Sequence, residues 1–127
     1  MNGIIGKKLG MTSFYNEDGS VIPVTVIEAG PCVVVQKKNN EKDGYNAIQL
    51  GFESQKDSRL SKPKLGHYKK AGVDSKRILQ EFKIEENDET AVGDSVDVSI
   101  FSEIKFVDIL STGKGRGFQG VVKRYDF

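Results

Sequence analysis

The chain is heavily punctuated. Short apolar runs rich in β-branched side chains alternate with clusters of Gly, Pro, Asn and Asp. Asn16-Glu-Asp-Gly19-Ser stands before Val21 to Ile27, Ala29-Gly30-Pro31 before Cys32 to Lys37, and Asn39-Asn40-Glu-Lys-Asp43-Gly44 before Tyr45 to Phe52. Val, Ile and Thr are stiff at χ1 and pack well on a pleated surface. Gly, Asn and Asp supply the backbone angles that tight turns need. Several short strands with turns at this spacing indicate an all-β barrel or sandwich. Glycines at 3, 6 and 10 disfavour a helix over the first fifteen residues. That segment reads as a strand, a Gly-rich bend and a second strand through Phe14. Pro23 fits best at an edge or bulge.

The punctuation changes after Phe52. Glu53 to Arg77 is polar and basic, with only sparse apolar residues, and Lys62-Pro to Gly72 has room for one short helix ended by Gly72. Ile78 to Ile84 reads as a strand and Glu85 to Glu89 as a solvated acidic turn. Val92 to Val98 looks like a Gly-Asp turn followed by alternating valines, and Ile104 to Leu110 is strand-like. The expected organisation is one domain over 1–127, a usual size for a single core. Strands occupy 1–52 and 78–110, a basic excursion 53–77, and a Gly-rich basic loop with a short helix 111–127.

Net charge is only +1, which by itself argues against a nucleic-acid partner. The distribution argues the other way. Residues 56–77 carry eight Lys/Arg against Asp57 and Asp74, and residues 78–110 carry nine Asp/Glu against Lys83 and Lys105. Residues 111–127 turn basic again, opposed only by Asp126. Such segregation suggests one anion-binding face and one solvated acidic face. The single cysteine, Cys32, lies in an apolar run and reads as a small buried hydrophobe. No disulfide framework is possible within the chain, and a cytosolic setting fits. No signal-like or membrane-length apolar stretch occurs. His67, the one histidine, has no evident carboxylate or nucleophile beside it, so general-base chemistry is not expected. No catalytic residue, metal ligand or cofactor is assigned.

The densest chemistry lies in Ser111-Thr-Gly-Lys-Gly-Arg-Gly-Phe-Gln-Gly-Val-Val-Lys-Arg124. Gly115-Arg-Gly117-Phe-Gln-Gly120 matches the G-x-G-x-x-G dinucleotide pattern, but that fingerprint also needs a βαβ unit and a later acidic residue. Gly113-Lys114 resembles the end of a phosphate loop but lacks the upstream glycine and the Ser/Thr. A third reading is contact with nucleic-acid backbone, in which Lys and Arg meet phosphates and glycines let the chain come close. The fourth is a tight solvated turn. In the basic excursion, Lys, His and Tyr interleave in a way that suits phosphates, ribose and stacked bases, or simply a solvated loop.

Several segments, in colinear order, resemble the bacterial branch of the large-subunit ribosomal protein L-three family. They are Gly6-Lys-Lys-Leu-Gly-Met-Thr12, Pro23-Val-Thr-Val-Ile27, Asp43-Gly-Tyr-Asn-Ala-Ile-Gln49, Lys62-Pro to Gly72, and Phe101 through Arg124. The last resembles the family signature, with Phe101, Asp108, Ser111, Gly115-Arg-Gly117, Gly120 and Arg124 at the family's spacing. Gly113 departs from it, standing where the family usually has Ser or Thr. The family also continues beyond the position of Phe127, with an internal extension and further barrel strands, so extension-dependent roles attach to no residue here.

The resemblance implies a Greek-key barrel of the translation-protein type, incomplete in this chain if the closing strands come later, with a basic loop and short-helix excursion and a short C-terminal helix. It implies a non-enzymatic protein of the cytoplasmic ribosome that binds large-subunit ribosomal RNA, supports subunit assembly and meets neighbouring ribosomal proteins, with no membrane or small-molecule partner. The expected RNA contacts are Lys114, Arg116, Lys123 and Arg124 on phosphates, Gly115 and Gly117 for close approach, Lys62, Lys64, His67, Lys69 and Lys70 on a second RNA segment, and Lys7 and Lys8 near the start. The rivals are a small nucleotide- or flavin-binding barrel using the Gly-rich loop, and a β-barrel module that meets proteins only.

Overall fold

The computed structural model describes residues 3–85 and 90–127. The elements run β1 (Gly6–Tyr15), β2 (Val21–Ala29), β3 (Cys32–Lys38), α1 (Asn40–Asp43), β4 (Ala47–Ser54), α2 (Lys62–Ala71), β5 (Lys76–Lys83), β6 (Ser95–Val96) and α3 (Val121–Tyr125). Two sheets result, both antiparallel: the ribbon β1-β2, and a four-stranded sheet in the order β5-β4-β3-β6. The all-β reading holds, with only short helices between and after the strands. Among the described residues, both sheets are open at their edges.

Turn chemistry places most of these elements. The 16–20 turn closes the ribbon, with the Asn16 N–H donating to the Ser20 carbonyl at 2.9 Å. The expected loop at 39–44 contains the single turn α1. The excursion helix α2 ends at Gly72, which takes φ +66° to cap it.

Three expectations change. Among the described residues, 3–15 do not form two strands about a bend. One ten-residue strand, Gly6–Tyr15, runs through with Gly6 paired in it, and a register shift between Lys8 and Gly10 makes a bulge. The alternating valines after Gly93 give only the two-residue β6, then a 3-10 turn at Val98–Phe101 in which the Ser99 N–H donates to the Asp97 carboxylate at 2.9 Å. Ile104 to Leu110 is not a strand. Phe106 and Leu110 are 89% and 97% exposed. Strand preference is mostly packing against neighbours, and no strand among the described residues lies alongside. The acidic turn expected at 85–89 falls largely outside the described residues.

The core lies on one face of the larger sheet. Cys32, Val34, Ile48, Leu50, Phe52 and Val96 are buried there, joined by Ile5 and flanked by Ile4, Phe82 and Ile84. The chain before β1 therefore packs across this face. Gly30 makes the close approach possible: at φ +72°, a Cβ on it would lie 3.0 Å from both Ile4 Cδ1 and the Val96 carbonyl oxygen. Its N–H donates to the Ile5 carbonyl, and the Cys32 thiol donates to the same oxygen. Cys32 is wholly buried, and loss of hydration pushes its thiol pKa up. It behaves as the small hydrophobe expected. The opposite face carries α2, whose Tyr68 is buried and donates its hydroxyl to the Lys76 carbonyl at 2.8 Å. The ribbon β1-β2, in contrast, is exposed along nearly all of its length.

Candidate nucleic-acid interface

Two basic surfaces emerge, each built on a different element. The first follows the core sheet in sequence. After Ser102 the chain runs without regular structure until Gly120, which precedes α3; the Arg124 N–H then donates to the Gly120 carbonyl at 3.0 Å. Gly115 and Gly117 adopt φ +72° and +68°, which side-chain-bearing residues rarely reach. The turns they make are the local reason for glycine there. A Cβ at Gly113, Gly115, Gly117 or Gly120 would meet no atom within 4 Å, so none of the four serves internal packing.

This folding gathers Arg116, Gly117, Phe118, Gln119 and Arg124 around a concavity of about 300 Å³. Three of the expected contact residues thus converge, Arg116, Gly117 and Arg124. Lys114, Gly115 and Lys123 are exposed on the flanking chain. The Arg124 guanidinium lies 5.2 Å from the centre of the Tyr125 ring, close enough for cation–π attraction. Phe118 and Gln119 were not singled out by sequence reasoning. The available signal was an aromatic residue inside a Gly/Arg-rich loop, a composition suited to base stacking.

The second surface is α2. Ser61 precedes it, Pro63 sits in its first turn and Lys69 and Lys70 in its last. Lys62, Lys64, Lys69 and Lys70 are all exposed. The last-turn lysines also complement the partial negative charge of the helix C-terminus. His67 points the other way: its Nε2 lies 2.7 Å from Gln49 Oε1 on the sheet beneath.

Ion pairing sorts the cations. Lys7 is 2.9 Å from Glu53, which also holds Arg77 at 3.0 Å. These contacts keep the Glu53 carboxyl below the ordinary range, first through the hydrogen bond from Lys7. Lys38 donates to both Glu81 and the Tyr45 hydroxyl, and Tyr45 donates in turn to Glu81; the Lys38 ammonium is raised and the Glu81 carboxyl lowered. Among the described residues, no salt bridge engages Lys8, Lys62, Lys64, Lys69, Lys70, Lys114, Arg116, Lys123 or Arg124. Eight of these cations lie on two segments, α2 and the Gly-rich loop with α3, and face solvent without a salt bridge among the described residues, whereas Lys7, Lys38 and Arg77 of the sheets are paired.

Among the described residues, no three His, Cys, Asp or Glu are grouped to hold a metal, and no helix is long and apolar enough to cross a membrane.

No family model matches the chain. Over all 127 residues it is 54% identical to the large ribosomal subunit protein uL3 of Petrotoga mobilis. It spans 59% of that protein's length. The resemblance to the L-three family of large-subunit ribosomal proteins therefore holds over the whole of this chain, which matches part of such a protein.

Proposed function

We propose that this chain is part of a structural, non-enzymatic protein of the large ribosomal subunit, acting in the cytoplasm. It binds ribosomal RNA through the Gly-rich loop with α3 and through α2, supports folding of that RNA during subunit assembly, and lies against neighbouring ribosomal proteins. The observation that carries this reading is the 54% identity to a large-subunit ribosomal protein across every residue of the chain. The uncompensated cations supply the mechanism. Lys and Arg neutralise phosphates and release condensed counterions, while Arg forks fix the register through paired hydrogen bonds. Lys7 contributes less than Lys8, because Glu53 already neutralises it.

The test is the salt dependence of binding to large-subunit ribosomal RNA. With about four to six phosphate contacts, the slope of log affinity against log salt is roughly −3 to −5. A slope near zero would remove the phosphate mechanism.

A further inference from the structure

We propose that the concavity between the Gly-rich loop and α3 holds one unpaired RNA nucleotide, its phosphate between Arg116 and Arg124 and its base against Phe118. This rests on the RNA-binding reading and narrows it from general backbone charge to a single extruded residue.

Size is the first argument. About 300 Å³ lies at the lower end of the range for small-ligand sites. An opening of this size admits a single nucleotide. Charge is the second. Arg116 and Arg124 both border one small space, and neither has a carboxylate partner among the described residues. Like charges so placed repel unless an anion separates them. Each guanidinium offers a planar fork of donors that matches phosphate oxygens.

The third argument is the unused ring. Phe118 is fully exposed. It packs on no core, yet it borders the same concavity as both arginines. A base face is what a solvated aromatic beside a phosphate site accepts, in a manner tolerant of base identity. Gln119 adds an amide with both donor and acceptor capacity, able to meet a base edge. Gly117, between Arg116 and Phe118 in the chain, turns the backbone at φ +68°, and no atom stands within 4 Å of where its Cβ would be. Lys114 and Lys123 do not line this space; their contacts are with the flanking backbone.

The test compares two RNA hairpins of equal length for binding to the full chain. One is fully paired, and the other carries a single bulged 2-aminopurine. The bulged hairpin should bind about ten-fold more tightly, the scale of one base–aromatic stack, and its fluorescence should be quenched on binding. Phe118→Leu should abolish both the preference and the quenching while leaving affinity for the paired hairpin and its salt slope unchanged; Phe118→Trp should restore them. The substitution touches no packed residue, so folding is not at stake. Equal binding of the two hairpins, unaffected by Phe118→Leu, would overturn the subsite and leave the RNA reading standing. Binding of neither hairpin would remove both. Binding of free adenosine monophosphate with no binding of either hairpin would replace the proposal with a small-molecule nucleotide site.

Discussion

At the scale of single residues, the distinction that matters is whether a cation stands beside carboxylates or beside another cation. Arg116 and Lys42 illustrate it. Both are exposed and basic. Lys42 sits in the one-turn helix α1 between Glu41 and Asp43, whose two negative charges outweigh its own. Arg116 sits between two glycines in left-handed conformation and shares its concavity with a second arginine. Replacing Arg116 by Ala should therefore weaken RNA binding by about 1.5–3 kcal/mol, the scale of a hydrogen bond to a charged group. Lys42→Ala should change it negligibly. Filter binding with ribosomal RNA decides; equal, small effects would reduce the Gly-rich loop to a solvated turn. The same logic reads Gly113. It needs no positive φ and has open space where its Cβ would be, so the Ser or Thr that the L-three family usually carries there meets no obstacle.

At the scale of elements, the two sheets are joined by a carboxylate. Glu53, next to last in β4, has φ +59°, a strained conformation for a residue with a side chain. It reaches Lys7 on β1 and Arg77 on β5. Its carboxyl is depressed in the folded chain, so its contribution is present above the unfolded-state pKa and is lost as pH falls through the folded one. Glu53→Gln should thus lower the melting temperature at pH 7, and the gap to the parent should close as the pH falls below about 4. Thermal melts at the two pH values check this; a gap that persists in acid would mean the ion pairs do not link the sheets.

These elements also show what a sequence can carry. The 16–20 turn, the strands from Val21 to Phe52 and the Gly72 helix end were legible, because each depends on residues adjacent in the chain. The pairing of Lys7 with Glu53, 46 positions away, was not. Nor was the fate of Ile104 to Leu110, whose pattern suits a strand but which has no strand alongside it among the described residues. In the candidate site, the glycines announced their left-handed turns and the basic residues their charge. The convergence of Phe118, Gln119 and Arg124 on one concavity depends on the path between them, which no local pattern encodes.

At the scale of the whole molecule, the ribbon β1-β2 sets the behaviour of the isolated chain. Directly paired residues share a face, so Phe14 and Ile22 lie on one side with Val26, while Tyr15 and Val21 lie on the other with Met11 and Ile27. All seven are exposed. A two-stranded ribbon is marginal in water unless a hydrophobic face is covered, and here both faces are bare. Its edges add unpaired N–H and C=O groups, a template for other chains, and Val21 to Ile27 is uncharged and, Pro23 apart, β-branched. The chain alone should therefore be marginally stable and associate through this ribbon as concentration rises. Light scattering across a dilution series, combined with chemical denaturation, checks the prediction. Replacing Ile22 and Val26 by Lys should suppress the association without touching the buried core around Leu50. A monodisperse monomer at all concentrations, unfolding cooperatively with about 5 kcal/mol or more as ordinary domains do, would show that the four-stranded sheet and its core hold the fold unaided and that the bare ribbon is tolerated.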